Sequence, residues 1–400
     1  MGYKISMKDK ITGVRANLIL NSNCDWVREV VVEINSKYQG VGSSPVGETK
    51  SIYESQKEGK VLKDINKYLK EKLCGHIFSQ ESFDKLIFTD RGKLTSGLVY
   101  SLSSAFFYAR VKARRISPVR LLTNGGKVGQ PKILLNVLNG GLHAYTNAVY
   151  SDFSEYLLVP VKNDIEQLIA DYHKLYSLIK EKLRLCPKRV VGGNVVSYLG
   201  RSNDSVFDFL TDVLEREKCN KRYTIMVDAS AGNFYKEGQY YLPVTKKKMN
   251  SEMMINYWQK ISLKYSVSIL EDPLAETDMD SWQELYGNLV KSSIKVFLVG
   301  DNLFCSDVER LKINGCKKMI NGTLIKPDQA VTVSRFREYW KEAKRQGLLT
   351  VASHRSVETE SLLVSHLASA LKIDFIKVGP LSNYNAVYKL NEIIRNKSDE

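Results

Sequence analysis

The sequence predicts an α/β protein: a C-terminal β/α barrel preceded by an α+β domain. Three observations carry that expectation. Six short apolar or β-branched runs, each ending in a polar or charged residue, follow one another between Thr224 and Lys377. Helix-like stretches separate most of them. The first 125 residues lack that rhythm altogether.

The N-terminal part is read first. REVVVEINSKYQGVG, residues 28–42, reads as a strand running toward a turn. Residues 60–73 and 94–113 carry apolar side chains at helical spacing and predict two helices. TNGGKVGQPK, residues 123–132, is rich in turn formers and marks the boundary. The chain therefore divides into residues 1–125 and 126–400. Four hundred residues suit two domains, or one barrel of about 250 residues with an extra domain.

The six runs are TIMVD ending at Asp228, VSILED at Glu271 and Asp272, VFLVGD at Asp301, TLIK at Lys326, LTVASH at His354 and DFIK at Lys377. Their end residues are 43, 30, 25, 28 and 23 positions apart, which suits strand–helix units. Residues 308–313 and 332–346 are two of the intervening helical stretches. Repeated units of this kind predict a parallel sheet, and six in succession favour a closed barrel. A doubly wound open sheet is the alternative. The barrel makes one strong demand: all six end residues must gather at the C-terminal mouth, where such barrels do their chemistry.

Composition narrows the function classes. The chain is 43% hydrophobic and 26% charged, enough apolar residue to bury a large core. No apolar run approaches the roughly 20 residues that span a bilayer. The N-terminus shows no secretory signal, and Gly2 followed by Ser6 is only a crude myristoylation match. Cys24, Cys74, Cys186, Cys219, Cys305 and Cys316 form no C-x-x-C pair and read as reduced thiols of a cytoplasmic protein. Five dispersed histidines argue against zinc. The net charge of +15 suits an anionic partner, whether nucleic acid, an acidic membrane or an anionic metabolite. The basic residues are spread out, however. The runs Lys246, Lys247, Lys248 and Arg110, Lys112, Arg114, Arg115 make no nucleic-acid module. Solvated surface is the preferred reading of both.

Asp228, Glu271 and Asp301 at three successive strand ends would repel one another unless a cation lay between them. Hard carboxylate oxygens without His or Cys select Mg²⁺ or a similar ion over zinc. The bland alternative is that each caps the next helix. Lys326 and Lys377 end two further strands. A lysine beside a metal and other cations has its charged form disfavoured, which suits a base. Otherwise each is a rim lysine with its stem packed on apolar surface.

Motifs in order along the chain then resemble the enolase family over most of its length. They are ILLNVLNGGLHA (133–144), EYLLVP (155–160), MVDASAGNFY (226–235), ILEDPLAETD (269–278), VGDNL (299–303), LIKPDQA (324–330), VASHRSVETE (351–360) and FIKVGP (375–380). The resemblance implies an N-terminal α+β domain that supplies a lid, an enolase-type barrel and a homodimer. It implies reversible dehydration of 2-phosphoglycerate to phosphoenolpyruvate with Mg²⁺, the known pairing of magnesium and a lysine or histidine base in enolase-superfamily sites. It further implies Asp228, Glu271 and Asp301 as metal ligands, Lys326 as base and Glu155 as a second catalytic group. Lys377 would meet the substrate carboxylate, and His143, His354, Arg355 and Ser356 would contact the substrate. Arg355 suits its phosphate through a planar fork of donors.

The pattern breaks at definite places. The family's Gly-Asp-Glu-Gly-Gly loop supplies an acid–base glutamate; here the stretch reads GGNVVSYLGRS, with Tyr198 at that position. No Asp or Glu occurs between Glu181 and Asp204. Tyrosine has an unperturbed pKa of about 10, against about 4.3 for glutamate, and is a poor substitute. The lid sequence is GSSPVGETKS, leaving Ser44 or Thr49 for the metal-binding serine. The early arginine is missing at Ser22–Trp26, Ser154 replaces a glutamine and Asn302 an aspartate. Two functions follow: a divergent working enzyme, or an enolase-fold pseudoenzyme that binds a ligand or protein without turnover. A dedicated anion-binding protein, suggested by the charge, is a third.

Overall fold

The computed structural model describes residues 9–47, 51–54, 62–90, 92–141, 146–313 and 318–397. Strands β1 (Ile11–Leu20), β2 (Trp26–Ile34) and β3 (Tyr38–Ser43) form an antiparallel meander. The segment read as one strand running to a turn is thus two paired strands. Opposed residues share a face, so Val14–Val32 and Ala16–Val30 present one apolar surface. Helices α1 (Leu62–Leu73), α2 (Gln80–Thr89) and α3 (Ser96–Arg114) complete this part. The two expected helices are α1, over its described part, and α3; α2 was not expected. Gly40 and Gly42 let α3 cross β3 closely: a Cβ on Gly40 would sit 2.0 Å from the Ala105 carbonyl oxygen.

α3 is buried on nearly every side because it serves two cores. Leu98, Leu102 and Phe106 join the core under the meander. Tyr100, Phe107 and Val111 join the barrel's. Arg110 and Arg114 both close on Asp9, at 2.9 and 2.7 Å, so half of that basic run is engaged within the fold. Helix α4 (Pro118–Thr123) starts on the Ser117 cap with Pro118 in its first turn. It stops at Asn124, whose φ of 52° ends the helix within the stretch read as a boundary.

The remainder opens with strands β4 (Lys132–Asn139) and β5 (Glu155–Pro160). Helix α5 (Ile165–Leu185), a hairpin of β6 (Lys188–Val191) and β7 (Asn194–Ser197), and helix α6 (Asp204–Arg216) follow. Next come β8 (Tyr223–Asp228), a small sheet of β9 (Tyr235–Lys236), β10 (Gln239–Leu242) and β11 (Lys247–Asn250), and helix α7 (Ser251–Lys264). Units β12 (Val267–Glu271)–α8 (Met279–Lys291), β13 (Phe297–Gly300)–α9 (Val308–Leu311) and β14 (Gly322–Ile325)–α10 (Pro327–Ala330)–α11 (Val333–Arg345) succeed them. Units β15 (Leu349–Ser353)–α12 (Leu363–Ala370) and β16 (Phe375–Lys377)–α13 (Tyr384–Lys397) end the chain.

β4, β5, β8 and β12 to β16 close into an eight-stranded barrel, which decides against the open sheet. The six strands expected from the sequence all run parallel. β5 is antiparallel to both its neighbours, β4 and β8, a departure from a uniform β/α repeat. Among the described residues no helix is long and apolar enough to cross a membrane.

One layer of side chains fills the barrel: Leu134, Leu157, Met226, Ile269, Val299, Leu324, Val351 and Phe375, one from each strand, with Val159 added from β5. Strand side chains alternate faces, so the residue two places along points the same way. This plug therefore fixes which residues line the next layer toward the mouth.

Candidate active site

Two residues beyond the plug on the seven parallel strands lie Asn136, Asp228, Glu271, Asp301, Lys326, Ser353 and Lys377. On β5, which runs the other way, Glu155 lies two residues before Leu157. The fold thus stacks a polar ring on an apolar plug, and the ring contains all three candidate metal ligands, both lysines and Glu155. Strand register adds that Glu271 and Glu155 each sit directly beside Asp228.

Lys377 is 4% exposed, and its ammonium lies at the centre of the acidic side. It lies 2.6 Å from Glu155 Oε2 and 2.9 Å from both Asp228 Oδ2 and Glu271 Oε2. Asn136 Nδ2 donates to the other Glu155 oxygen at 2.8 Å. Ser230 holds Asp228 Oδ1 through its N–H and hydroxyl. Lys326 donates to Asp301 Oδ2 at 2.5 Å. Asp272 takes the N–H groups of Asp301 and Asn302 at 3.0 and 2.9 Å, fixing the turn that carries Asp301.

The electrostatics follow from burial and crowding. Burial, then Asp228, pushes the Glu271 carboxyl well above the usual range against the opposing pull of Lys377. Burial opposes the charge of Lys377, but Asp228, Glu155 and Glu271 outweigh it and hold the ammonium well above the lysine range. Lys326 is likewise raised: burial works against its charge and Asp301 prevails. In this arrangement each lysine has a carboxylate in contact, and that contact favours its charged form.

The ring fits a divalent cation in its chemistry. It offers hard oxygens, and one ammonium among Glu155, Asp228 and Glu271 leaves buried negative charge uncompensated. Lys377 lies against these carboxylates and Lys326 against Asp301. Among the described residues no three His, Cys, Asp or Glu side chains gather as a ready-made metal group.

The remaining candidates lie elsewhere. His143 and Thr49 fall outside the described residues. Ser44 donates to the Pro45 carbonyl at 3.0 Å and packs against Gly97 at the start of α3. His354 packs its ring on Gly379, where any Cβ would lie 2.8 Å from Cε1. Ser356, two residues on, is exposed. Arg355 is 2% exposed and sits between Glu54 at 2.8 Å and Asp328 at 3.1 Å. Gly47 approaches it so closely that a Cβ would overlap the guanidinium, so Gly47 and Glu54 cover Arg355. Asp328 itself is pushed up to about 6 by burial, with Arg355 opposing.

Several residues of the site escaped the sequence reading: Asn136, Glu54, Asp272 as a clamp, and Asp328. Asn136 carries a usable signal, two places after Leu134. Glu54 carries none, because its partner is 301 residues away. Tyr198 follows β7; its ring stacks edge-on to Tyr150 and lies under the Arg189 guanidinium at 3.9 Å.

The family model described as Enolase, C-terminal TIM barrel domain matches residues 128–399. "Enolase" of Anaplasma phagocytophilum (strain HZ) is 29% identical over 415 aligned positions, covering 98% of this chain and 95% of that protein.

Proposed function

The chain belongs to the enolase family, and on that premise we propose that it catalyses the Mg²⁺-dependent, reversible dehydration of 2-phosphoglycerate to phosphoenolpyruvate. The observation that supports this most is the single ring of Glu155, Asp228, Glu271, Asp301, Lys326 and Lys377 above the barrel plug. Asp228, Glu271 and Asp301 would hold the magnesium. When bound, it lowers the cost of the negative charge that collects on a carboxylate whose neighbouring carbon loses its proton.

The chain's own groups divide the rest. Lys326, as a neutral amine, takes the proton from the carbon beside the carboxylate; it must first part from Asp301. Lys377 binds the substrate carboxylate with an ammonium already surrounded by acids. Glu155 is the ring carboxylate not assigned to the metal; in its protonated form it gives a proton to the departing hydroxide, without the second acid that the family's loop supplies, and the hydroxide leaves as water while the carbon–carbon double bond forms. Asn136 orients Glu155. Arg355 grips the phosphate with its fork once Glu54 lets go, and His143, His354 and Ser356 line the same substrate. The same proposal divides the chain at residues 125 and 126, gives the first part the lid, and includes a homodimer and a cytoplasmic setting.

The test is direct: phosphoenolpyruvate formation followed by ultraviolet absorbance with Mg²⁺, beside Lys326→Ala. Turnover no higher than in that variant would end the proposal.

One observation favours a second reading. The position of the family's loop acid carries a tyrosine whose ring is taken up by Arg189 and Tyr150. A pseudoenzyme would bind Mg²⁺ and a phosphorylated acid in calorimetry with negligible turnover.

A further inference from the structure

Between the meander, residues 44–47, 53 and 54, and the barrel lies a cavity of about 820 Å³, outside the ring. That is within the size range of small-molecule sites. Its lining includes three arginines, Arg28, Arg310 and Arg335, and three aromatic side chains, Trp26, Tyr53 and Phe88.

Two of the arginines belong to the barrel and lie over rings of the N-terminal part. The Arg310 guanidinium lies 3.2 Å from the Tyr53 ring centre, and that of Arg335 lies 4.2 Å from Phe88. Stacking uses the face of a guanidinium and leaves its in-plane donors for an anion. Each carboxylate on this wall has an arginine partner. Glu54 and Asp328 meet Arg355, and Asp307 meets Arg335 at 3.2 Å.

Arg310 is different. Among the described residues no carboxylate lies within ion-pair distance of it. One terminal nitrogen donates to the Leu303 carbonyl at 3.2 Å. Its Nε is buried and has no acceptor. A buried donor without a partner costs about 1–3 kcal/mol, more when charged. The Nε side of a guanidinium is also one edge of the fork that takes two oxygens of a phosphate.

We propose that this cavity is a second anion site, distinct from the ring and from Arg355, which binds a phosphate-bearing small molecule on the Arg310 fork with an apolar or planar part against the aromatic wall. The proposal does not depend on the reaction assigned to the ring.

The probe is inorganic pyrophosphate, titrated calorimetrically into the full chain without metal, with hydrogen exchange on the same samples. In the wild type, pyrophosphate is expected to protect the peptide over residues 303–313. Arg310→Gln should weaken that binding component at least tenfold and abolish the protection. Arg310→Lys, which keeps the charge but not the fork, should fall between. Ligand-free melting curves check that both variants fold, and the lysine variant carries the test if the glutamine variant does not. A component that persists in both variants with protection only over residues 351–360 would assign all binding to Arg355 and overturn the proposal. So would an unchanged titration in Arg310→Gln.

Discussion

Glu54 and Arg355 are 301 residues apart in sequence, yet the carboxylate lies 2.8 Å from the guanidinium. The covering segment thus supplies an internal anion for the arginine best suited to bind phosphate. Asp328 holds the other side of the same guanidinium at 3.1 Å. Burial works against the charge of Arg355, and Asp328 followed by Glu54 outweighs it, so the group stays firmly protonated. Any phosphate must displace Glu54.

That competition gives the first expectation. Glu54→Gln removes the competing charge and keeps the shape, while Asp328 still neutralises the arginine. A hydrogen bond to a charged group contributes about 1.5–3 kcal/mol, so phosphate affinity should rise by roughly tenfold. Calorimetric titration with inorganic phosphate measures it. Equal or weaker binding in the variant would mean that Glu54 positions Arg355 and does not block it.

Asp272 gives the second. It adopts a left-handed φ of 40° and accepts the N–H groups of Asp301 and Asn302, so it orients a proposed metal ligand without being one. Asn can keep one acceptor but turns a donor toward the second N–H. Supporting partners of metal ligands commonly contribute about 10–100-fold to metal affinity, and Asp272→Asn should lose Mg²⁺ affinity on that scale. A lowered melting temperature with unchanged Mg²⁺ affinity would make Asp272 a residue of stability alone.

Much of this site was legible because one pleat relates core and ring. Ile269 and Glu271, or Leu324 and Lys326, sit two places apart on one strand face, so an apolar run that ends in a charge already says where the charge points. The parallel repeat then brings five such ends, Asp228, Glu271, Asp301, Lys326 and Lys377, into one ring; on β15 the ring position is Ser353, one residue before the expected His354. β4 and β5 break the repeat, and the periodic reading stops there: Asn136 and Glu155 reach the ring from opposite strand directions. Glu54 and Asp328 were hidden for another reason. Their roles exist only through a tertiary contact with Arg355, and no local pattern encodes it. The basic run at Arg110 and Arg114 looked like surface charge and is partly an internal clamp on Asp9.

Stability should respond to pH through Asp84. This buried carboxylate links α2 to the barrel, accepting from Ser334 N and Oγ, Ser103 Oγ and Gln80 Nε2. Burial outweighs these donors and raises its pKa from 3.8 to about 6. A raised carboxyl favours the protonated folded form. Its contribution is therefore complete below the unfolded value of 3.8 and is lost as pH rises through about 6. Asp84→Asn does not titrate. From pH near 4 to near 7 its stability relative to the wild type should rise by up to about 3 kcal/mol. Urea melts of both proteins across that interval check the slope, and parallel curves would refute it.

The last expectation concerns the missing acid. Tyr198→Glu places a carboxylate at the family position, but Arg189 already lies 3.9 Å from the ring centre it replaces. The exposed Arg189 side chain can follow the shorter group and pair with it, which lowers a carboxyl's pKa and removes the proton an acid must give. The single variant should therefore change turnover little. Adding Arg189→Gln releases the new carboxylate. A positioned general acid contributes about 10²–10⁴-fold, and the double variant should recover a measurable part of that in kcat with a smaller effect on KM. Lys326→Ala in the double-variant background should remove the gain, because proton removal precedes the step that an acid assists. A gain from Tyr198→Glu alone, as large as from the pair, would show that Arg189 does not hold this position. No gain from either would show that Glu155 alone suffices as the acid or that dehydration is not this chain's chemistry, and the Lys326→Ala comparison in the wild type separates those two.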